Sequence, residues 1–412
     1  MMSLDASTDL PRMNKHIFYH ENYTVGGDTT YLETLLGSYK ESEYFLICSG
    51  SACLKEHLQT SGIAATSMKW FDSCGAASRL NASRGGVFNS AALGKVLGRL
   101  VAPLTAGKID KRIKLLVDEM DISKYANVVI NSGGFLGTPG SRAFMQHVGV
   151  PCTNILHNYI PDRVIRDRKL FMSVRQYVGK WIVGSPFIKK QLVDECGVDE
   201  RCVCYIPYGV KPSLNPDHVD RNAVRRKVGI SPDDYVVVHP SVFEKRKGHS
   251  FTIHAFHEFR KYEPRSKLLL AGSGGACMSD VRRLVKKLGM EDDVLFMGFY
   301  SPIEELIVCS DLLCLPSQCY DTTPFVVLLA LACGTPVLTT RRDDFEGVLI
   351  DEENALLVPT GNHGAISEKM RRICHDDALK IKIVSGGLNA YRNVFTQDKM
   401  INLTKSALSD AD

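Results

Sequence analysis

The sequence predicts an α/β protein built from two doubly wound, parallel β-sheets. Short apolar segments that suit buried strands alternate with helical segments along the chain. One such series precedes a turn-rich segment at residues 209–216, and a second series follows it. At 412 residues the chain is long enough for two domains with full-sized cores. We therefore predict one domain at residues 1–212, with residues 1–12 as an unstructured leader, and another at residues 213–412.

The predicted strands are short and rich in β-branched or apolar residues. Those of the first domain are Lys15–His20, Tyr44–Cys48, Val128–Asn131, Thr153–His157, Trp181–Gly184 and Val203–Ile206. Those of the second domain are Tyr235–His239, Lys267–Ala271, Val294–Met297, Leu312–Leu315, Val337–Thr340 and Ala355–Val358.

Composition limits the classes of function. The net charge of +4 is too small to indicate a nucleic-acid partner, and no apolar run is long enough to span a membrane. The 13 cysteines lie mostly in apolar segments, and the chain lacks a signal-peptide pattern. Both features predict that the protein is located in the reducing cytoplasm. Cys309, Cys314 and Cys319 lack the paired spacing of a metal site. We therefore predict no metal ligands.

The segment from Ser310 to Thr340 is the most informative part of the chain. A buried strand at Leu312–Leu315 leads through a polar loop to a helix with Thr323 as its N-cap and Pro324 at its first position. The helix is apolar on every face and ends at Gly334, which predicts complete burial. A helix N-terminus at the carboxyl end of a strand is an anion site, so we predict a phosphate-bearing ligand.

Two features of the first domain are less specific. Gly26 and Gly27 follow the first strand and precede a helix, an arrangement found at sites where backbone amides approach a phosphate or sugar. A tight turn explains the two glycines equally well. The basic, amphipathic stretch at residues 95–114 suits contact with an anionic membrane surface, and a solvated helical face explains it too.

Six motifs of the second domain resemble the retaining family 4 glycosyltransferases of GT-B type, in the same order and spacing across roughly the whole domain. They are EKRKG ending at Gly248, LLLAGSGG ending at Gly275, DDVLFMGF ending at Phe299, SDLLCLPS ending at Ser317, ALACGTPV ending at Val337 and NALLVPTG ending at Gly361. The first domain matches more thinly, at Gly26-Gly27, His157-Asn158 and the IPYGV run ending at Val210.

The resemblance implies two Rossmann-like domains that face each other across a cleft. It also implies that the final helix, residues 398–409, crosses back to the first domain. Lys247 stands where the family keeps its phosphate lysine, and His157 stands where relatives place a histidine against the donor hexose. Asp321 falls on the first of the family's two spaced glutamates. The implied donor-binding residues are Gly26, Gly27, Arg246, Lys247, Gly272, Thr323, Phe325, Val326 and Leu329.

The chain departs from the family pattern at several donor contacts. The second spaced glutamate is Leu329, which cannot accept hydrogen bonds from ribose hydroxyls. The arginine that accompanies the phosphate lysine is Ser241, unless Lys245 or Arg246 replaces it. The expected Gly-Gly after Thr340 reads Asp343-Asp344, which would repel a pyrophosphate.

We therefore predict a cytoplasmic, metal-independent retaining enzyme that needs no cofactor. It would move a hexosyl group from a nucleoside diphosphate sugar to a glycan, glycolipid or small-molecule acceptor, with possible peripheral contact at the inner face of the membrane. One alternative is a non-catalytic GT-B homologue that partners an active glycosyltransferase or binds glycans. Another is a hydrolysing nucleotide-sugar epimerase, although its acid and base residues are not evident in the sequence.

Overall fold

The computed structural model describes residues 13–22, 27–50, 107–132, 138–319, 324–342 and 345–409, together with isolated positions between 54 and 70. The chain forms two compact units. The first unit takes Met1–Val183, Ile188–Tyr205 and Leu403–Asp412, and the second takes Gly184–Phe187 and Ile206–Asn402. The predicted leader at residues 1–12 lies outside the described residues. The domain boundary at residues 212/213 stays a prediction.

The first unit contains a seven-stranded sheet in which every neighbouring pair of strands is parallel. In the order β3-β2-β1-β4-β5-β6-β7 the strand order reverses between β1 and β4, because the chain winds first one way and then the other. The strands are β1 Met13–Asn22, β2 Tyr44–Gly50, β3 Met68–Trp70, β4 Tyr125–Ser132, β5 Cys152–Leu156, β6 Val178–Val183 and β7 Val203–Tyr205.

Helices of the first unit cover this sheet and bury its apolar side chains. Trp181 and Phe144 are among the largest fully buried residues. These helices include α1 Gly27–Leu36, α2 Pro139–Val148, α3 Asp162–Arg166 and α4 Arg168–Arg175. A further helix, α5 Pro186–Lys190, begins with residues of the second unit. Ser185 accepts a hydrogen bond from Phe187 N at 3.2 Å, as expected for the residue before a proline-started helix.

The basic stretch at residues 95–114 is described only from residue 107 onward. Residues 107–118 are helical, and Ile109, Ile113 and Leu116 pack in the core of the first unit. Lys111 and Arg112 are exposed on the other side of this helix. The described end of the stretch is therefore an amphipathic helix with a basic outer face.

The second unit contains a six-stranded, all-parallel sheet in the order β10-β9-β8-β11-β12-β13. The strands are β8 Tyr235–Pro240, β9 Ser266–Ala271, β10 Val294–Gly298, β11 Leu312–Leu315, β12 Val337–Thr340 and β13 Leu356–Val358. Two parallel sheets with crossover helices confirm the predicted α/β class. The sequence missed β3, because three residues carry no readable alternation.

The helices of the second unit precede, separate and follow these strands along the chain. They are α6 Arg221–Lys227, α7 His249–Phe259, α8 Met278–Lys287, α9 Ile303–Cys309, α10 Phe325–Ala332, α11 His363–His375, α12 Asp377–Val394 and α13 Gln397–Ser409. None of the helices among the described residues combines the length and the apolar content needed to cross a membrane.

Two segments that carry the chain between the units lie side by side in the second unit. Val210 N donates to Phe395 O at 2.9 Å, and Gln397 N donates to Val210 O at 3.1 Å. A side chain at Gly209 would meet Thr396 O at 2.2 Å, so glycine is required for this approach.

The last residues of α13 belong to the first unit. There Thr404 hydrogen-bonds the Tyr31 hydroxyl at 2.7 Å, and Asn127 Nδ2 donates to Leu408 O at 2.6 Å. Both contacts are buried or half-buried, so the end of the chain is anchored to α1 and β4.

Candidate functional site

The basic turn of the second unit follows β8 and joins it to α7. Residues Lys245–Lys247 form one turn of 3₁₀ helix, and Gly248 then adopts a left-handed conformation with φ of 78°. A Cβ at Gly248 would lie 2.1 Å from Pro316 O, because the turn packs directly on the loop after β11. Lys247 therefore lies on a turn whose path only glycine permits.

A backbone hydrogen bond from Gln318 places this turn beside the loop that precedes α10, and the Gln318 side chain bonds within that loop. Gln318 N donates to Arg246 O at 2.7 Å, and Gln318 Nε2 donates to Pro316 O at 2.6 Å. Arg246 itself pairs with Glu244 at 2.6 Å, and both side chains are partly exposed. Lys247 is therefore half-buried and lies next to Arg246, which forms an ion pair with Glu244.

Gly272 follows β9 and lies against the start of the basic turn. A Cβ there would meet Ser241 O at 2.1 Å, and Gly272 N donates to Gly298 O at 2.8 Å. The structure thus supplies a packing reason for this glycine. Its predicted contact with a donor stays a prediction.

The helix α10 corrects two expectations. It begins at Phe325, with Pro324 as its N-cap and no side-chain cap, so the prediction of Thr323 as N-cap was wrong. A proline N-cap sets an extended entry into the helix without needing a hydroxyl, and the sequence pattern suits either start. Gly334 follows the C-cap with φ of 67°, as predicted for the end of this helix.

The burial of α10 also differs from the prediction, because the helix is not completely buried. Val327, Leu328, Ala330 and Leu331 are buried, whereas Phe325, Val326 and Leu329 are half-buried. The half-buried residues share one face at helical spacing. Leu329 therefore lies on the accessible face that also carries the first helical residues.

Three uncharged side chains occupy the place where the resemblance expects an arginine. Ser241 Oγ lies 3.0 Å from His239 Nε2 and 3.3 Å from His249 Nε2. The His249 ring stacks between His239, with centroids 4.1 Å apart, and Phe243, at 4.6 Å. Burial, with a smaller effect from the charge of Lys247, lowers the pKa of His249 to about 4, although a hydrogen bond with Ser241 opposes that shift. Both histidines were missed, because a histidine at a strand or helix end has no specific sequence signal.

The predicted histidine of the first unit lies at the carboxyl end of β5. His157 is buried, and its Nε2 donates to Asn131 Oδ1 at 2.8 Å. Asn131 Nδ2 in turn donates to His20 Nδ1 at 3.1 Å and to Asp28 O at 3.0 Å. His20 and Asn131 are register partners on β1 and β4, so three adjacent strands build one chain of hydrogen bonds.

Burial holds His157 in its neutral form. Burial is the largest cause that lowers the pKa of His157 to about 4, and within that shift the charge of Asp28 acts against burial and that of His20 acts with it. The Tyr31 ring meets the imidazole edge to face, with centroids 5.1 Å apart. Because Nε2 carries the proton, a neutral His157 can bind hydroxyl groups but is a weak base near pH 7.

Several predicted positions cannot be placed. Gly26, Asp321, Thr323, Asp343 and Asp344 lie outside the described residues. Gly27 is the first residue of α1, and Asp28 Oδ1 accepts a hydrogen bond from Thr29 N at 3.0 Å. The structure thus brings together Lys247, Arg246 and the loop before α10 in one unit, and His157 with α1 in the other.

Comparison with known proteins identifies the relatives of this chain. Residues 220–387 match the family model described as "Glycosyl transferases group 1", which confirms the predicted resemblance over that segment. The chain is 28% identical over 183 residues to N-acetyl-alpha-D-glucosaminyl L-malate synthase of Bacillus anthracis, a match that covers 44% of this chain and 47% of that protein. It is 24% identical to D-inositol 3-phosphate glycosyltransferase of Acidothermus cellulolyticus, over 63% of this chain and 62% of that protein. The chain thus spans about half to two thirds of the length of these relatives.

Solved structures share the architecture. Anabaena Alr3699/HepE, crystallised in complex with UDP and glucose, superposes with a TM-score of 0.75 at 17% identity, over 96% of this chain and 99% of that one. WaaG, a glycosyltransferase of lipopolysaccharide biosynthesis, superposes with a TM-score of 0.65 at 14% identity, over 96% and 98%. These similarities show that the chain has the GT-B type of α/β fold.

Proposed function

We propose that this chain, whose residues 220–387 match the group 1 glycosyltransferases, transfers a hexosyl group from a nucleoside diphosphate sugar with retention of anomeric configuration. The observation that carries the proposal is the basic turn with Lys247, held against the loop before α10 by the contact between Gln318 N and Arg246 O. A nucleoside diphosphate needs both a cation and backbone donors, and these two segments offer them side by side. The complexes of Alr3699/HepE with UDP and UDP-glucose support a donor of this class.

Each residue takes a defined part in this proposal. Lys247 and the first amides of α10, at Phe325 and Val326, would bind the pyrophosphate, and Gly27 keeps the donor-side role that the resemblance implies for it. His157 would accept hydrogen bonds from the sugar hydroxyls. Asp321, Thr323 and Gly26 keep the donor-side roles that the resemblance implies for them.

The neutral state of His157 bears on the mechanism. A group with a pKa of about 4 is largely uncharged near pH 7 and removes a hydroxyl proton poorly. We therefore assign the deprotonation of the acceptor to the departing phosphate on the same face of the sugar. The positive charge of Lys247 and the amides of α10 would stabilise that phosphate, so the transfer step is proposed to need no metal ion.

The acceptor and the location are parts of the same proposal. We propose a glycan, glycolipid or small-molecule acceptor and a cytoplasmic protein. The helix at residues 107–118 supports peripheral contact with an anionic membrane surface, because Lys111 and Arg112 are exposed beside one another while Ile109 and Ile113 are buried.

Specific residues favour a second candidate function, a non-catalytic homologue that binds glycans or partners an active glycosyltransferase. Ser241 lacks the charge of the family's arginine, and Leu329 lacks a carboxylate for ribose. A protein that has lost transfer would keep the fold and tolerate both changes.

The experiment that separates the two is a mass-spectrometric screen of nucleotide sugars, incubated with the wild-type protein and no acceptor. Slow release of free nucleoside diphosphate from one donor, abolished in Lys247→Ala and retained in the neighbouring Lys245→Ala, would support transfer. No turnover of any donor, combined with no nucleoside diphosphate affinity by calorimetry, would support the non-catalytic candidate.

A further inference from the structure

A cluster of side chains that can ligate a metal lies in the second unit, away from the basic turn. Glu263, Cys374 and His375 each offer one ligand atom, and these three atoms all lie within 4.8 Å of one another. Glu263 follows the end of α7, where its N–H donates to Phe259 O at 3.1 Å. Cys374 and His375 are the last residues of α11, which packs along α7.

The cluster lies at the amino-terminal edge of the second sheet. Crossover helices in a parallel sheet run opposite to the strands, so α7 and α11 end near the starts of the strands. Tyr235, the first residue of β8, is also near, since the charges of Cys374 and Glu263 act on its hydroxyl. Lys247 lies beyond the other end of β8. The cluster is therefore separate from the proposed donor site.

The ligand atoms are arranged as a partly closed site. Cys374 packs against the hydrophobic core, and its Sγ donates to Glu263 Oε2 at 3.9 Å. His375 is exposed, so its imidazole is free to rotate toward the other two groups. The site thus has an inner thiol, a carboxylate beside it and an imidazole on the solvent side.

The surrounding charges favour a cation. Among the described residues Glu263 makes no ion pair, and Lys261, two residues before it, pairs with Glu258 instead. Two arginines of α11 are engaged elsewhere: Arg371 lies over the Tyr262 ring at 5.7 Å, and Arg372 pairs with Glu352. The Glu263 carboxylate is thus left without a compensating charge from these arginines.

A second, independent observation points to a ligand. The Tyr235 hydroxyl oxygen is buried and has no hydrogen-bond partner among the described residues, although the residue as a whole is half-buried. Buried hydroxyl groups in native proteins nearly always have a partner, and an ion or its bound water commonly supplies it.

We propose that Glu263, Cys374 and His375 bind one thiophilic divalent cation of the zinc class. Sulfur, nitrogen and oxygen ligands together suit Zn²⁺, whereas Mg²⁺ and Ca²⁺ prefer oxygen alone. The cation displaces the proton of the Cys374 thiol to solvent, and a water molecule in its fourth position accepts the hydrogen bond of Tyr235. The ion would tie the end of α7 to the end of α11 and stabilise the second unit, without a part in transfer. This proposal does not rest on the proposed function.

The test uses the full-length protein, freed of metal with a chelator and then titrated with Co²⁺ and Zn²⁺. The wild type should bind one equivalent with a thiolate-to-cobalt absorption band in the near ultraviolet. Zn²⁺ at about 100 times its dissociation constant should raise the melting temperature by roughly 5 °C or more. Cys374→Ser should lose the band, and His375→Ala should lose the bound equivalent or bind at least about tenfold more weakly.

Two matched controls exclude other thiols and imidazoles. Cys333→Ser alters a half-buried cysteine at the C-cap of α10, and His363→Ala alters an exposed histidine at the opposite end of α11. Both should behave as wild type. Equal metal stoichiometry and affinity in wild type and His375→Ala would overturn the proposal. Because His375 is exposed, that variant decides the matter even if Cys374→Ser fails to fold.

Discussion

The carboxyl ends of the strands carry different chemistry in the two units. In the first unit, His20, Asn131 and His157 form a buried network of hydrogen bonds, in which burial keeps His157 neutral. In the second unit, Lys247 and Arg246 stand on a turn between β8 and α7, beside the half-buried face of α10. Neutral donors and acceptors suit sugar hydroxyls, and cations with helix amides suit phosphates. We therefore propose that the second unit binds the anion and that the first unit binds the hydroxyl groups.

The neutral state of His157 in the first unit gives the largest expected effect, a change of stability with pH. The pKa of His157 is about 4 when folded against about 6.5 when unfolded, so between those values the unfolded state binds more protons. Stability contributed by the neutral ring is therefore complete above pH 6.5 and lost as the pH falls toward 4. The unfolding free energy of wild type should fall between pH 6.5 and pH 4.5. Over the same interval the unfolding free energy of His157→Gln should fall by about 2–3 kcal/mol less.

Urea unfolding followed by tryptophan fluorescence measures this change, because Trp70 and Trp181, the 2 tryptophans of the chain, belong to the first unit. Parallel pH profiles for wild type and His157→Gln would mean that His157 has the same pKa in the folded and the unfolded state. The contrast between the two units would then fail.

The path of the basic turn gives the next effect. Gly248 and Gly289 both have positive φ, 78° and 62°, but only at Gly248 would a Cβ clash, 2.1 Å from Pro316 O. Alanine at either position costs about 1–2 kcal/mol for its backbone conformation. Gly248→Ala should lower the unfolding free energy by about 2 kcal/mol more than Gly289→Ala does. It should also weaken nucleoside diphosphate binding at least about tenfold.

Circular dichroism during urea unfolding and calorimetry with UDP measure the two consequences. If Gly248→Ala bound UDP as tightly as Gly289→Ala, the position of the basic turn would be irrelevant to the anion.

Lys247 tests the charge itself rather than its position. A charge-assisted hydrogen bond contributes about 1.5–3 kcal/mol, so Lys247→Ala should weaken nucleoside diphosphate binding by about tenfold or more. Lys245→Ala, two residues away on the exposed side of the same turn, should change it little. Calorimetry on both folded variants measures this difference, and equal affinities would remove Lys247 from the site.

Leu329 gives the smallest effect and tests which face of α10 meets the ligand. Leu328 is fully buried and Leu329 half-buried, so glutamate at 328 should destabilise by about 3 kcal/mol and at 329 by less than about 1 kcal/mol. If the half-buried face meets ribose, Leu329→Glu should tighten nucleotide binding by up to about tenfold, and wild type should distinguish poorly between ribose and 2′-deoxyribose donors.

Melting temperatures and calorimetry on both variants measure these changes. Equal destabilisation by the two substitutions would place Leu329 in the core. A stable Leu329→Glu that binds no nucleotide would support the non-catalytic candidate.

The sequence by itself determined the fold class, most of the strands and the relatives of the second half. Strand periodicity, strand-ending polar loops and a glycine stop after α10 are local features, because they depend on neighbouring residues and their allowed backbone angles. The positions of His157 and Lys247 at strand and turn ends follow from the same local order. Their predicted roles with a donor stay predictions.

Only the tertiary structure decided which side chains meet. Asn131 and His157 are 26 residues apart and Glu263 and Cys374 are 111 apart, so neither contact has a local signal. The burial pattern of α10 likewise depends on what packs against each face, and its uniformly apolar sequence could not show that Leu329 stays accessible while Leu328 is buried. The protonation of His157 follows from the same cause, because desolvation is a property of the surroundings that folding creates.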